Sequence, residues 1–183
     1  QLEEAAGAAH SCRGAPGRFE RVPIDAPFTV IVDSAVTPDA LENLLQAARP
    51  LAAGSLAVLF GCVGERDREK RPLMGAVAEK LADRLILSND NPRREDPHFI
   101  LAQIAAGLKG AVPTATIADR REAIHRLLDE GKPGDVLVIA GKGGETYLDI
   151  GGVKHPFEDT RVVREWARLR GKEGPALQAH SNR

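Results

Sequence analysis

Aromatic side chains are scarce in this chain, with one tryptophan, one tyrosine and five phenylalanines among 183 residues. Any core must therefore be built from Ala, Val, Leu and Ile. Cysteine is scarcer, and the two present, Cys12 and Cys62, sit in unlike contexts. They make neither a disulfide framework nor a zinc site, and read as free thiols in a reducing cytoplasm. Charge of one sign is also lacking, the formal net charge being −1. That excludes the clustered basic face that holds a nucleic-acid backbone. No apolar run approaches the ~18 residues of a membrane span. Gln1-Leu2-Glu3-Glu4 has neither the basic nor the apolar part of a signal peptide. It also lacks an initiating methionine, so a piece of a longer chain or a processed product is expected.

What remains is ordinary globular material, 43% hydrophobic and 28% charged. The length corresponds to about one domain plus a tail, enough to bury roughly two thirds of the unfolded surface. Leu2 to Ala9 reads as a turn or two of helix, and His10 to Gly17 as a linker. Residues 1–14 are thus expected to end a preceding unit, 15–170 to form the domain, and 171–183 to be a disordered tail.

Within the domain the pattern alternates. Strands are expected at Phe28–Val32, Leu56–Phe60, Arg84–Leu87, Ala115–Ile117 and Asp135–Ile139. Helices are expected between them. Thr37-Pro38-Asp39 starts one with a hydroxyl cap, a proline and an acid, and Leu41, Leu44, Leu45 and Ala48 form its buried stripe. The next runs over Leu73–Leu81. Asp96-Pro97 caps another, and Asp119 with Glu122 forms a capping box. Gly151-Gly152 reads as a hairpin between Thr146–Ile150 and Val153–Phe157, before a last helix over Asp159–Leu169. Apolar strands alternating with helices predict an α/β fold, a doubly wound and mostly parallel sheet with helices on both faces.

In such sheets ligands bind beyond the carboxyl ends of the strands. That rule selects the loops at 33–37, 61–68, 88–94 and 141–145. Gly141-Lys142-Gly143-Gly144 lacks the upstream glycine and the hydroxyl of a phosphate-binding loop. As a bare string it reads as a flexible turn. Asp90 and Arg93 flank an Asn91-Pro92 turn. Together they suit a zwitterion such as an amino acid, Arg93 taking a carboxylate with two hydrogen bonds. A solvated surface ion pair is the other reading. Glu65 to Arg71 is a run of seven charges of mixed sign. It reads as solvated surface, or as an anion site because it precedes a helix. His10, His98, His125, His155 and His180 lie outside these loops without ligand spacing. Neither a metal site nor a histidine base is expected.

Six segments occur here in the order found in Mur ligases. They are Gly17-Arg18-Phe19-Glu20, Val32-Asp33-x-Ala35-x-Thr37-Pro38-Asp39, Phe60-Gly61-Cys62, Arg66-Asp67-Arg68-x-Lys70-Arg71-Pro72-Leu73-Met74, Asp90-Asn91-Pro92-Arg93 and Gly141-Lys142-Gly143-x-Glu145. From about residue 15 to 170 the chain resembles the Rossmann-like C-terminal domain of that family, in the type that adds meso-diaminopimelate. The resemblance implies an ATP- and magnesium-dependent ligase of cell-wall precursor synthesis, acting in the cytoplasm on UDP-muramoyl-dipeptide. ATP and Mg2+ would be bound mainly by a central ATPase domain that is this domain's partner within a longer chain. The 183-residue piece alone is expected to be inactive.

By the same resemblance, Arg66, Asp90, Asn91, Pro92, Arg93, Gly141 and Glu145 would form the diaminopimelate site. Arg93 would read the distal carboxylate that lysine lacks, and Glu145 would take the distal ammonium. Asp33 would lie on the ATP side. Departures from the family's usual residues stand at Ser34, Val36, Val63, Glu65, Glu69 and Gly144. They leave the amino-acid set complete and the first loop altered. A diverged, non-catalytic amino-acid-binding or interaction domain is the alternative.

Overall fold

Three expected helix starts are closed by the side chains expected to close them. Thr37 Oγ1 accepts from the Ala40 amide at 3.3 Å, Asp96 Oδ1 from His98 at 2.8 Å and Asp119 Oδ1 from Glu122 at 2.9 Å. Each satisfies an amide that the first helical turn leaves open. In this computed structural model, residues 15–174 are described. The helix and linker expected before residue 15, and Cys12, lie outside them.

The elements run β1 (Glu20–Arg21), β2 (Thr29–Asp33), α1 (Pro38–Ala48), β3 (Leu56–Phe60), α2 (Lys70–Leu81), β4 (Arg84–Leu87), α3 (Pro97–Ala105), β5 (Thr114–Thr116), α4 (Arg120–Asp129), β6 (Val136–Ala140), β7 (Tyr147–Ile150), β8 (Val153–Pro156) and α5 (Asp159–Leu169). Six strands form one sheet in the order β1-β2-β6-β3-β4-β5. Only β1, which the sequence pattern does not announce, runs antiparallel. In register, Ile31 lies beside Val138 and Val58 beside Val138 on the other side.

The chain steps from β2 to β5 in one direction, with α1, α2 and α3 on one face. There Leu41, Leu45, Met74, Ile100 and Ile104 pack on Ile31, Val58 and Leu85. The return from β5 to β6 reverses direction, and α4 lies on the opposite face. Ile124 and Leu127, with Val163 and Trp166 of α5, cover Val32, Leu59 and Ile139. Right-handed crossovers demand this change of face when direction changes. Strands β3 and β6 are buried along their whole length, as strands covered on both faces must be.

The β7–β8 hairpin stands apart as a two-stranded ribbon. Its turn uses Gly151 and Gly152, both at positive φ, as a twisted two-residue hairpin turn requires. Residues 171–174, expected in the tail, instead fold back. Asp25 N donates to Lys172 O at 2.8 Å, and Glu173 bridges Ile24. The rest of the expected tail lies outside the described residues.

Candidate functional site

The loops after β2, β3, β4 and β6 share one edge of the sheet, and close backbone approaches hold them together. Gly64 N donates to Asn91 O at 2.8 Å. A Cβ on Gly64 would stand 1.9 Å from Pro92 O, so only glycine lets the loops after β3 and β4 meet there. Asn91 then ties the β4 loop to the β6 loop. Its Nδ2 donates to Glu145 Oε2 at 2.8 Å, and its Oδ1 accepts from Lys142 Nζ at 3.0 Å and from Asp149 N at 2.9 Å.

Between these loops and the β7–β8 hairpin opens a cleft of about 940 Å³. Arg66, Asn91, Arg93 and Glu145 line it, with Arg94, Tyr147, Asp149 and Lys154. Four expected site residues thus come together on one wall. Arg93 has a left-handed backbone, φ 54, a conformation uncommon for a residue other than glycine. Two hydrogen bonds to the hairpin hold it there. Arg93 N donates to Asp149 O at 2.9 Å, and Arg93 O accepts from Gly151 N at 2.6 Å. Among the described residues its guanidinium has neither hydrogen bond nor ion pair. The surface pair with Asp90, left open by the sequence, does not form.

Asp90 is placed differently from its expected neighbours. It is 1% exposed and does not line the cleft. Neither carboxylate oxygen has a hydrogen-bond partner among the described residues. Lys142 Nζ is 3.8 Å from Oδ1. Burial pushes the Asp90 carboxyl above its ordinary range, against the pull of Arg120 and Lys142. Pro92 and Gly141 also lie beneath the wall. Gly141 passes so close to Asp90 that a Cβ would stand 2.7 Å from Oδ2.

Asp33, expected on the nucleotide side, has both oxygens on backbone amides, Phe19 at 2.7 Å and Ala35 at 2.8 Å. It pins the 17–20 segment and the first loop in place. Among the described residues no group of three or more His, Cys, Asp or Glu side chains stands together. Of the first-loop departures, Val36 lines the cleft.

The seven-charge run divides. Glu65 to Glu69 are exposed, but Arg71 is wholly buried. Its Nη1 donates to Glu95 Oε2 at 3.0 Å and to Gln103 at 2.5 Å, and Nη2 to Glu95 Oε1 at 3.1 Å. Glu95 Oε1 also accepts from Glu65 N at 2.5 Å, so this pair joins the β3 loop to the β4 loop. The Arg71 guanidinium holds the Glu95 carboxyl down to about 2.

Sequence reasoning missed Arg71, Lys142, Asp149, Arg120 and Asp159. Lys142 sat in a string that reads as a flexible turn. The available signals were its place, two residues beyond a wholly apolar strand, and its presence in the segment Gly141-Lys142-Gly143-x-Glu145. Chemically, the cleft offers cations and carboxylates together. Among the described residues no histidine, cysteine or serine lines it. Cys62 is a buried free thiol that burial pushes up to about 12. Such a set of mixed charges is suited to a zwitterion.

The family model described as Mur ligase, glutamate ligase domain, matches residues 17–143. A UDP-N-acetylmuramoyl-L-alanyl-D-glutamate–2,6-diaminopimelate ligase of Synechococcus elongatus is 54% identical over 157 residues, which are 85% of this chain and 31% of the relative. The like-named protein of Aquifex aeolicus is 52% identical over 154 residues, 84% of this chain and 32% of its own. A solved structure of such a ligase superposes with a TM-score of 0.83 at 40% identity, covering 93% of this chain and 35% of that one. A bifunctional folylpolyglutamate synthase/dihydrofolate synthase of Yersinia pestis, at 18% identity and a TM-score of 0.57, shares the fold alone. The chain spans about a third of the length of the curated relatives it matches.

Proposed function

Because this chain belongs to the Mur ligase family, we propose that its cleft binds meso-diaminopimelate for joining to UDP-N-acetylmuramoyl-dipeptide. The chain would be the amino-acid-binding part of a longer, ATP-dependent ligase acting in the cytoplasm. ATP and magnesium would be handled mainly by that ligase's central domain, where they supply an activated substrate carboxylate. This chain's residues orient the amine that attacks it.

The observation that carries the reading is Arg93. Its backbone is pinned on both sides, its guanidinium is unpaired among the described residues, and it lines a cleft with Glu145. A free diaminopimelate carries at its far end a carboxylate and an ammonium. Arg93 takes the carboxylate by a two-toothed contact. Glu145 takes the ammonium with the oxygen that Asn91 and Lys142 leave open, since both of those donate to Oε2. Asn91 fixes the angle between them through its three hydrogen bonds. The roughly 50% identity of the named relatives over most of the chain favours this reading over a decayed binding module.

Calorimetric titration of the chain with meso-diaminopimelate and with lysine tests the site. Diaminopimelate should bind at least tenfold tighter. Equal affinities, or none, would remove the proposal's support.

A further inference from the structure

The strand order leaves a gap in what the sheet can align. The two loops carrying Asp90–Arg93 and Gly141–Glu145 follow β4 and β6, and β3 lies between those strands. No ladder hydrogen bond therefore joins β4 to β6 directly. Arg120 does span that gap. At the start of α4, Nη1 donates to Asn89 O at 2.9 Å and Nη2 to Ala140 O at 3.0 Å. Those carbonyls belong to the residues just before Asp90 and just before Gly141.

We propose that Arg120 is a positioning residue for the amino-acid site, clamping the backbones of its two motif-bearing loops across β3. This rests on the reading of the cleft given above. Asp159, at the start of α5, holds the guanidinium in turn. Its oxygens accept from Nε and Nη2 at 2.8 Å each, and both side chains are wholly buried. The planar fork of arginine matches four such contacts on fixed bearings, which the point charge of lysine does not. A buried ion pair by itself adds little over a well-packed apolar pair. The two carbonyl bonds are what an apolar replacement loses.

The test compares the 183-residue chain with Arg120→Lys, the charge-neutral pair Arg120→Met/Asp159→Leu, and Trp166→Phe. The last perturbs the same helical layer by removing the bond from Trp166 Nε1 to Asp129, far from the loops. Readouts are meso-diaminopimelate affinity by calorimetry, amide hydrogen exchange at Gly64, Arg93 and Glu145, and the thermal midpoint. The paired variant should melt cooperatively, bind at least tenfold more weakly, and exchange at least tenfold faster at those amides. Lysine should not rescue either readout. Trp166→Phe should lower the midpoint and leave affinity and loop exchange unchanged. Native-like affinity and exchange in the paired variant, or changes no larger than in Trp166→Phe, would overturn the clamp. If the paired variant does not fold, Arg120→Lys decides by the same readouts. If the unaltered chain binds no diaminopimelate, the reading of the cleft fails, and loop exchange still decides the clamp.

Discussion

Lys142 Nζ donates to Asn91 Oδ1 at 3.0 Å and to Glu145 Oε2 at 3.1 Å, from a position with no exposed side-chain surface. One buried ammonium thus sets the direction of two side chains that line the cleft, and it is the nearest cation to Asp90. Replacing it by methionine keeps the volume and leaves Asp90 buried without that counter-charge. Breaking a buried pair from one side costs about 3–5 kcal/mol. Urea unfolding of Lys142→Met at neutral pH should show a loss of this order. The deficit should shrink in acid. Burial raises the Asp90 carboxyl in the fold, so its protonated form, present at low pH, no longer needs the ammonium. A deficit independent of pH would mean that Asp90 is not the group left exposed to the loss.

Arg93→Ala should separate two amino acids that differ by one carboxylate. A hydrogen bond to a charged group contributes about 1.5–3 kcal/mol. Loss of the two-toothed contact, with part of the carboxylate's hydration regained, costs about 2–4 kcal/mol and should weaken meso-diaminopimelate about thirty- to a thousandfold. Lysine, with no carboxylate at that end, should bind as before. A change under threefold in the ratio of the two affinities would sink the assignment of Arg93 to the distal carboxylate.

Acid should loosen the joint between the β3 and β4 loops. The Glu95 carboxyl, held down to about 2 by Arg71, contributes stability that is present above its ordinary range. That contribution is lost as pH falls from about 4.5 toward 2. Glu95→Gln should lose stability at neutral pH and show a flatter decline through this window. The check is the urea midpoint measured from pH 7 to pH 2. Parallel curves for the two proteins would rule out the Arg71–Glu95 contact as the source.

Two loop glycines should respond unequally to alanine. At Gly64 the new methyl would meet Pro92 O at 1.9 Å, a backbone atom that cannot swing aside. Overpacking of this kind costs about 1–3 kcal/mol, and here it also moves the turn that carries Arg93. At Gly144 the nearest atom, Pro16 O, is 3.1 Å away, and a shift of a few tenths of an ångström accommodates it. Thermal melts and diaminopimelate titrations should find Gly64→Ala impaired in both and Gly144→Ala close to the parent. Equal behaviour would contradict the close approach of the two loops.

The succession of strands and helices was legible because each carries a local signal. Thr37, Asp96 and Asp119 announce helix starts, and the Val136–Ala140 run announces a buried strand. The helix expected from Leu73 begins earlier, at Lys70, since a charged first turn carries no apolar stripe. The two-residue strand β1 was invisible, being too short for any alternation to show. Within the site, motifs named Asn91, Arg93 and Glu145, and all three line one cleft. The motifs did not show that Asp90 lies below the surface, or that Arg71 leaves the charged run for the interior. Those facts depend on which strands adjoin, and a carboxylate buried by distant loops looks in one dimension like any other. Arg120 and Asp159 are 39 residues apart, and nothing local to either announces the other.

The position of β6 has a consequence for how the molecule comes into being. It is the last strand of the parallel set to leave the ribosome, yet its place is between the second and third strands. Until residues 136–140 emerge, β2 and β3 each present an open edge along the side that β6 will fill. Open edges of apolar strands invite pairing with other chains. The sheet is therefore completed from its middle, by a late insertion that at the same stroke delivers Gly141, Lys142 and Glu145 to the cleft. A nascent chain halted before that strand lacks the keystone of its sheet together with one wall of its site.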